Sequence, residues 1–312
     1  MSQDKSKTIS VHAGNNAEAR QSSRSPFRQM VSALVHDRLA LIGLVLVMIF
    51  IIAAVLAPVI APQNPYDLAQ LDILDGRLPP GSESMSGMVY VIGTDDQGRD
   101  LLSAILYGLR TSILVGLSSA AIALVIGASI GLTSAYVGGR LDAVLMRIVD
   151  IQLSFPAILI ALIFLAILGQ GVDKIILALV VTQWAYYART VRGSALVERK
   201  RAYVDAARSM ALPDRSIIFR HILPNCLPPL IVVATMRVAY AIMLEATLSF
   251  LGIGLPVTEP SLGLLISNGF EYLLSGDYWI SVFPGVALLL LIVAINLIGD
   301  SLRDILNPRR EG

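Results

Sequence analysis

Four long runs of this sequence contain no charged residue, and they leave few folds open to it. Each run has at least 22 residues, whereas an α-helix needs about 20 apolar residues to cross the hydrocarbon core of a membrane. The runs cover residues 39 to 66, 111 to 139, 151 to 172 and 278 to 299. Because 55% of the chain is hydrophobic and only 15% is charged, its composition also differs strongly from that of a soluble domain. The sequence therefore predicts a membrane protein with at least four spanning helices.

Two weaker segments raise the predicted number of spans to six. Ile175 to Ala188 is uncharged for 14 residues and carries aromatic residues towards one end, as is common at a membrane interface. Leu230 to Leu251 is apolar except for Arg237 and Glu245, and isolated charges are tolerated in a span where they face protein or water. We therefore predict an all-α polytopic membrane protein with six transmembrane helices.

The distribution of basic residues predicts the orientation of these helices. With the N-terminus placed in the cytoplasm, 19 of the 24 Lys and Arg residues fall in cytoplasmic segments and four fall in external ones. The cytoplasmic segments are 1 to 38, 139 to 150, 189 to 220 and 301 to 312, and the external ones are 61 to 110, 169 to 174 and 252 to 280. Since cytoplasmic loops carry the excess of Lys and Arg, both termini are expected to be cytoplasmic.

The same pattern predicts how the chain is divided. The N-terminal residues are too polar to bury a core and are expected to be largely disordered. Thr94 stands where a hydroxyl can cap a short helix in the external loop. The predicted segments are a cytoplasmic tail at 1–38, a first transmembrane helix at 39–60, an external loop with a short helix at 61–110, a transmembrane core at 111–300 that includes a cytoplasmic loop at 189–228, and a cytoplasmic tail at 301–312.

The sequence lacks the compact motifs that carry catalysis or bind nucleotides. It has three histidines and one cysteine, with no H-E-x-x-H pair for zinc and no G-x-S-x-G nucleophile elbow. It also has no Gly-Lys dipeptide and therefore no Walker A loop. We expect no catalytic residue, no metal site and no bound cofactor in this chain, so any ATP that drives it must bind another chain.

The stretch from Tyr203 to Asn225 predicts a helix, a break and a second helix on the cytoplasmic side. Val204 to Met210 contains good helix formers, and Pro213 interrupts the pattern. Asp214 is placed to cap the helix that follows. From these residues alone, such a segment docks on a partner or lies against its own bundle.

This stretch resembles the E-A-A loop of the inner-membrane subunits of ABC importers, whose pattern is E-A-A, three residues, G, nine residues and I-x-L-P. The matching positions are Asp205, Ala206 and Ala207 at the start, with a shortened acid, and Leu223 and Pro224 at the end. Besides the shortened acid at Asp205, two further positions depart from the pattern, because Ala211 replaces the usual glycine and His221 replaces the usual isoleucine.

Further stretches resemble the second permease subunit of dipeptide, oligopeptide and nickel importers, and the likeness extends in order from Leu39 to Arg310. The resemblance implies a type I ABC importer permease fold. The stretches are GTDDQGRDLLSAILYGLRTSI from Gly93, GGRLDAVLMRIVDIQLSFPAIL from Gly138, LSFLGIG from Leu248 and FPGVALLLLIVAINLIGDSLRDILNP from Phe283.

The resemblance implies a mechanical role for the loop. In this family the loop forms a coupling helix in a groove of a cytoplasmic ATPase, with the turn Ala211, Leu212, Pro213 and Asp214 placed deepest. We expect Asp205, Ala207 and this turn to carry the coupling. If the turn needs a left-handed residue where glycine is usual, Ala211 must be strained or the loop must adjust.

The implied partners are a second permease subunit, two cytoplasmic ATPase subunits that bind ATP and Mg, an extracytoplasmic solute-binding protein and the lipid of the inner membrane, with no nucleic acid. The predicted function is that of a non-catalytic permease subunit, with di- and oligopeptides as the first cargo and nickel or another small solute as the alternative. A transporter driven by an ion gradient is the competing class. It commonly has two repeated halves with broken helices.

Three polar residues within the spans are candidates for the translocation path. Arg237 and Glu245 are about 12 Å apart along one helix, too far for a direct bond, so each is expected to pair across helices or to line a wet path. Gln152 in the third span either faces the path or joins helices by hydrogen bonds. The sequence leaves both alternatives open for all three residues.

Overall fold

The structure is a computed structural model that describes residues 37–67, 69, 71–84 and 87–306. It is mostly helical. The helices are α1 (Arg38–Ile60), α2 (Leu101–Val137), α3 (Gly139–Ser154), α4 (Ala157–Leu168), α5 (Val172–Glu198), α6 (Ala202–Ser209), α7 (Asp214–Phe250), α8 (Leu262–Phe270) and α9 (Trp279–Ile305). Short 3-10 turns at Ile73–Asp75 and Leu273–Ser275 and a hairpin of two strands, β1 (Ser82–Glu83) and β2 (Val89–Tyr90), complete it. The predicted disordered tail lies outside the described residues, except for residues 37 and 38.

Within the described part of the chain, four helices are long and apolar enough to cross a membrane, namely α1, α2, α7 and α9. A fifth span is formed if α3 and α4 count as one, although they are bent by 89° at their junction. The predicted third span at 151 to 172 is therefore wrong as a straight helix. The weaker segment at Ile175 to Ala188 lies inside α5 and is helical.

The bend between α3 and α4 has a local cause at Pro156. The ring of a proline clashes with the residue before it in the helical conformation, and Phe155 is accordingly extended at φ −93° and ψ 141°. Helix α4 then begins at Ala157. The proline therefore divides this run of 22 uncharged residues between α3 and α4, although the run is long enough to form one spanning helix.

Helix α2 begins at Leu101 rather than at the predicted 111, so the first ten residues of this 37-residue helix come from the segment assigned to the external loop. The Asp100 carboxylate caps the helix by accepting from the Ser103 backbone N–H at 2.8 Å. The predicted cap at Thr94 is wrong, because the Thr94 hydroxyl donates to the Asp75 carbonyl at 2.6 Å within the preceding loop. The described residues between 61 and 100 form a 3-10 turn, the hairpin and an isolated bridge between Thr94 and Asp100.

Close packing of α2 against α5 forms the centre of the bundle. Gly127 and Gly131, four residues apart on α2, lie directly on the backbone of α5. A Cβ atom at Gly127 would lie 2.3 Å from the Trp184 carbonyl oxygen, and one at Gly131 would lie 2.4 Å from the Ala188 carbonyl oxygen. Such small-xxx-small spacings let helices approach closely in membranes, so these two glycines set the distance between the helices.

A buried ion pair holds the 61–100 segment together. Arg99 Nε lies 2.6 Å from Asp95 Oδ2, and both side chains are at most 1% exposed. Arg99 Nη1 also donates to the Val257 carbonyl at 3.4 Å, which joins this segment to the loop after α7. Nearby, Tyr90 donates to Asp75 at 2.9 Å, and burial followed by this hydrogen bond raises the pKa of Tyr90 to about 12. The segment is therefore a folded cap on one end of the bundle.

Asp95→Asn is expected to destabilise this cap strongly. The substitution leaves the buried guanidinium of Arg99 without its counter-charge, and breaking such a pair costs about 3–5 kcal/mol. Thermal unfolding of the detergent-purified chain measures the effect. Glu83→Gln is the matched control, because Glu83 is exposed and surface changes usually alter stability by less than about 0.5 kcal/mol. Equal melting temperatures for the two variants would contradict the assignment.

Candidate functional site

The candidate loop between α5 and α7 consists of α6 and the turn after it. Helix α6 buries one face against the bundle through Val204 and Ala207, which are 0% and 4% exposed. Asp205 and Ala206 lie on the opposite, exposed face. Ala207 therefore packs within its own chain, and of the E-A-A-like residues Asp205 and Ala206 are available to another surface.

The turn after α6 is a Schellman motif. The Ala211 N–H donates to the Arg208 carbonyl at 2.9 Å, and the Leu212 N–H donates to the Ala207 carbonyl at 3.2 Å. This pair of bonds requires a left-handed residue, usually glycine, just beyond the helix end. Ala211 occupies that place with φ +54°. Of the two expected alternatives, the structure therefore shows the strained one, and the partly buried Leu212 packs on the core beside the turn.

Ala211→Gly is expected to stabilise the loop by about 1 kcal/mol, because the left-handed conformation costs an L-residue roughly that much and glycine almost nothing. Protection of the α6 amides from hydrogen exchange measures this local change. Ala206→Gly, within α6, is the opposite control and should lower the protection. Faster exchange in Ala211→Gly than in the parent chain would contradict the strain.

Asp214 joins the start of α7 to α2. The residue before α7 is Pro213, and Asp214 makes no side-chain capping bond, so the predicted capping role is wrong. Its carboxylate instead accepts a hydrogen bond from the hydroxyl of Tyr136 near the end of α2. The turn is thus tied to the bundle at both sides, through Leu212 and Asp214.

Helix α7 contains a π-helical segment at Ile217–Ile222, directly after its first turn. Three prolines follow at positions 224, 228 and 229, and a proline ring clashes with the carbonyl four residues earlier in a regular helix. A π turn is wider than an α turn, so the segment at Ile217–Ile222 leaves room for the ring of Pro224. Tyr203 on α6 braces the same region by donating to Glu198 at 2.6 Å and accepting from Asn225 at 3.1 Å. Burial, followed by the Glu198 carboxylate, raises the pKa of Tyr203 to about 12.

Met210 is a loop residue that the sequence reasoning did not single out. Its apolar side chain is 73% exposed at the tip of the loop, between the exposed Ala206 and the strained Ala211. A single exposed apolar residue is common on protein surfaces, so the place of Met210 beside the exposed Ala206, rather than its exposure alone, makes it a candidate contact residue. The available signal was its position, since it directly precedes the glycine position of the loop pattern. We call the exposed residues Asp205, Ala206, Met210, Ala211, Pro213 and Asp214 the loop surface.

Arg237 lies in a cleft between α5 and α7. Its guanidinium carbon is 3.4 Å from the centroid of the Tyr186 ring and 5.3 Å from that of Tyr240. The cleft has a volume of about 360 Å³, and Val233 and Met236 complete its lining. Arg237 therefore lines a cavity, one of the two placements that its sequence left open.

Glu245 is fully buried and joins α2 to α7. Its Oε2 atom accepts from the Ser112 hydroxyl at 2.9 Å, and its Oε1 atom accepts from the Ser249 hydroxyl at 2.8 Å. Glu245 therefore pairs across helices, and no ion pair joins it to Arg237 or to any other basic residue in the described ranges.

Gln152 also joins helices. Its side-chain amide donates to the Val181 carbonyl on α5 at 2.9 Å, so it fastens α3 to α5. The structure therefore separates the three candidates, because Arg237 lines a cleft, whereas Glu245 and Gln152 form hydrogen bonds to other helices. Among residues 37–67, 69, 71–84 and 87–306, no group of three or more His, Cys, Asp or Glu residues is placed to hold a metal ion.

Two family descriptions match the sequence. Residues 123–312 match the binding-protein-dependent transport system inner membrane component. Residues 25–80 match the N-terminal transmembrane domain of oligopeptide transport permease C. The first range contains the loop surface and Arg237, and the second contains α1.

Individual relatives align over most of the chain. A Brucella abortus protein named as a peptide transport system permease is 44% identical over 286 residues, which cover 92% of this chain and 93% of that protein. The dipeptide transport system permease protein DppC of Haemophilus influenzae is 37% identical over 286 residues, covering 92% and 96%. A solved structure of the MetNI methionine ABC transporter in an inward facing conformation matches 65% of this chain and 97% of its own, with a TM-score of 0.54 and 23% identity. This last likeness concerns the fold.

Proposed function

Because the chain belongs to the family of binding-protein-dependent transport system inner membrane components, we propose that it is the permease subunit of an ATP-driven importer of dipeptides and oligopeptides. The relatives at 37–44% identity carry names of peptide and dipeptide systems, which supports this cargo class. The chain is a multi-pass inner-membrane protein. In this proposal a second permease completes the path, and a solute-binding protein delivers the cargo from outside.

We further propose six membrane crossings with both termini in the cytoplasm. The crossings are α1, α2, the bent pair α3 and α4, α5, α7 and α9. Helix α5 is not among the four helices that are apolar enough to span by themselves, but it packs against α2 along the bundle centre, and polar residues in a span are tolerated where they face other helices rather than lipid. The excess of basic residues in the segments that become cytoplasmic supports this orientation.

The loop surface is the observation that carries the mechanism. Val204 and Ala207 seat α6 on the bundle, while the small Ala206 and the apolar Met210 face outwards. A helix anchored in this way moves together with α5 and α7, so a force on the loop surface is transmitted to the spans. We propose that two cytoplasmic ATPase subunits, which bind ATP and Mg, supply that force and that this chain catalyses no covalent step.

Met210→Asp is expected to lower ATP-dependent uptake at least about tenfold, because a charge replaces an apolar side chain in the proposed interface. Since Met210 is 73% exposed, the substitution should leave the thermal stability of the chain unchanged. Met210→Leu, which keeps the apolar contact, is the control and should retain most of the uptake. Equal uptake by the two variants would show that Met210 is not part of the interface.

Co-purification and reconstitution test the proposed function. The tagged chain is extracted from native membranes in mild detergent, its companions are identified by mass spectrometry, and the complex is reconstituted with its binding protein in liposomes. We expect a Walker-motif ATPase, a second permease and ATP-dependent accumulation of peptides. Uptake of nickel chelates in place of peptides would change the cargo to the alternative. Solute movement by the chain alone along an ion gradient would favour the competing class.

A further inference from the structure

Arg237 is a cation within a helix that is apolar enough to span the membrane. A charged side chain near the bilayer centre costs at least about 2.5 kcal/mol on insertion scales, so it needs compensation. The aromatic faces of Tyr186 and Tyr240, at 3.4 Å and 5.3 Å, supply part of it. A position maintained at this cost usually has a function.

The protein places no acid against this cation within the described ranges. Every described ion pair lies elsewhere. Glu245, the other charged residue in the stretch from Leu230 to Phe250, is fully buried, and the hydroxyls of Ser112 and Ser249 each donate to one of its two oxygens. Arg237 therefore differs from Arg99, whose counter-ion Asp95 is built into the fold.

The stacking of Arg237 determines which of its groups can bind a ligand. A guanidinium that lies over an aromatic ring uses its flat face, while its five N–H donors point outwards in its own plane. The short distance to Tyr186 is the separation of such a stack. The donors remain available along the edge of the guanidinium, where a carboxylate binds with two parallel hydrogen bonds.

The cleft has room for a ligand and differs from the larger cavity of the bundle. It has a volume of about 360 Å³ and combines one guanidinium with two phenol rings. The larger cavity, of about 470 Å³, lies among α1, α2, α7 and α9, and its lining within the described part of the chain is aliphatic apart from Thr235. Unlike that cavity, the Arg237 cleft resembles ligand sites, which combine apolar walls with a few placed polar groups.

We propose that the Arg237 cleft binds the carboxylate of the cargo within the membrane, with Tyr186 and Tyr240 as aromatic walls. This inference rests on the proposed function and deepens it, because it assigns the cargo a free carboxylate and gives this chain its own selectivity. The C-terminal carboxylate is the group shared by all unmodified peptides that a guanidinium can bind with two parallel hydrogen bonds. Arg237 holds it bidentately, and the two rings pack on the backbone and side chains next to it.

A cycle of variants and ligands tests the site in the reconstituted complex with its binding protein. A library of di- and tripeptides is offered as free acids and as C-terminal amides, and uptake is followed by mass spectrometry for the parent, Arg237→Gln, Arg237→Lys and Arg110→Gln. Arg110 is an exposed arginine on α2 and serves as the control. The same binding protein serves every permease variant. Any preference of the binding protein for acids or amides therefore cancels when the acid-to-amide uptake ratio is compared among the variants.

We expect Arg237→Gln to lower uptake of the acids about tenfold or more, as the loss of a charge-assisted bidentate contact implies, with little effect on the amides. Arg237→Lys should retain an intermediate preference, and Arg110→Gln should behave as the parent. An unchanged acid-to-amide ratio in Arg237→Gln would overturn the site while the proposed function stands. Loss of the second permease from the Arg237→Gln complex would also overturn it, in favour of pairing between subunits. A parent complex that takes up neither library would overturn the proposed function and this inference with it.

Discussion

Ala206→Arg is expected to reduce ATP-dependent uptake at least about a hundredfold while the chain still folds and inserts. Ala206 is exposed on α6, so the longer side chain meets no part of its own protein. In the proposed complex the same side chain must enter a close contact with an ATPase that itself must bind and release nucleotide. Overpacking and an unpaired charge together cost several kcal/mol at an interface, and each 1.4 kcal/mol corresponds to tenfold in affinity.

Uptake and assembly are measured on the same preparation. The ATPase should be lost from the purified Ala206→Arg complex, or its hydrolysis should no longer respond to the loaded binding protein. Ala206→Ser is the matched control, because serine adds little volume and should retain uptake. Ala207→Arg is not a suitable probe, since Ala207 is buried and an arginine there would disturb the packing of α6. Normal uptake by Ala206→Arg would exclude the loop surface from the coupling.

Gly131→Val is expected to prevent α2 and α5 from packing, with a loss of about 3 kcal/mol of stability or more. Any Cβ at this position would lie 2.4 Å from the Ala188 carbonyl oxygen and 3.1 Å from the Cβ atom of Val191. These groups belong to the backbone and stem of a helix and have no room to retreat. We expect a markedly lower yield of monodisperse protein in detergent and a lower melting temperature.

Gly285→Val is the matched control for this effect. Gly285 is also a helical glycine, in α9, but an added Cβ atom there meets nothing within 4 Å. The same substitution should therefore leave yield and melting temperature close to those of the parent. Similar losses in both variants would show that glycine is required for a reason other than the α2–α5 contact.

The predictions that held depend on local rules. The uncharged runs beginning at 39, 111 and 278 lie in α1, α2 and α9, apart from residues at their ends, because the length of an apolar run decides whether it spans. The strain at Ala211 was also foreseeable, since it follows from the glycine position of the loop pattern. At Pro156 the length of the apolar run favours one helix, whereas the proline disfavours a helical conformation at Phe155. The structure shows Phe155 extended, so the helix ends there.

The details that the sequence left open, or that the structure changed, concern contacts between distant parts of the chain. The partner of Glu245 is Ser112, which is 133 residues away, and no local pattern indicates it. The rings that flank Arg237 come from another helix in one case and from the next turn of α7 in the other. The burial of Ala207 depends on which face of α6 packs on the bundle. In each case the contact depends on how the helices pack against one another, and this arrangement cannot be read from a single sequence.

Cross-linking from the loop surface measures the central proposal most directly. Cys226, the single cysteine of the sequence, is buried, so Met210→Cys provides one accessible thiol for a maleimide–benzophenone reagent in native membranes, and irradiation then inserts the benzophenone into a C–H bond of whatever protein lies beside the loop. Tyr278→Cys, exposed beside α9 at the opposite end of the bundle in the proposed topology, is the control. We predict that Met210→Cys yields a product with a Walker-motif ATPase, whose yield changes on addition of ATP, and that Tyr278→Cys yields none. A Met210→Cys product without any ATPase, in membranes where uptake is intact, would contradict the proposal.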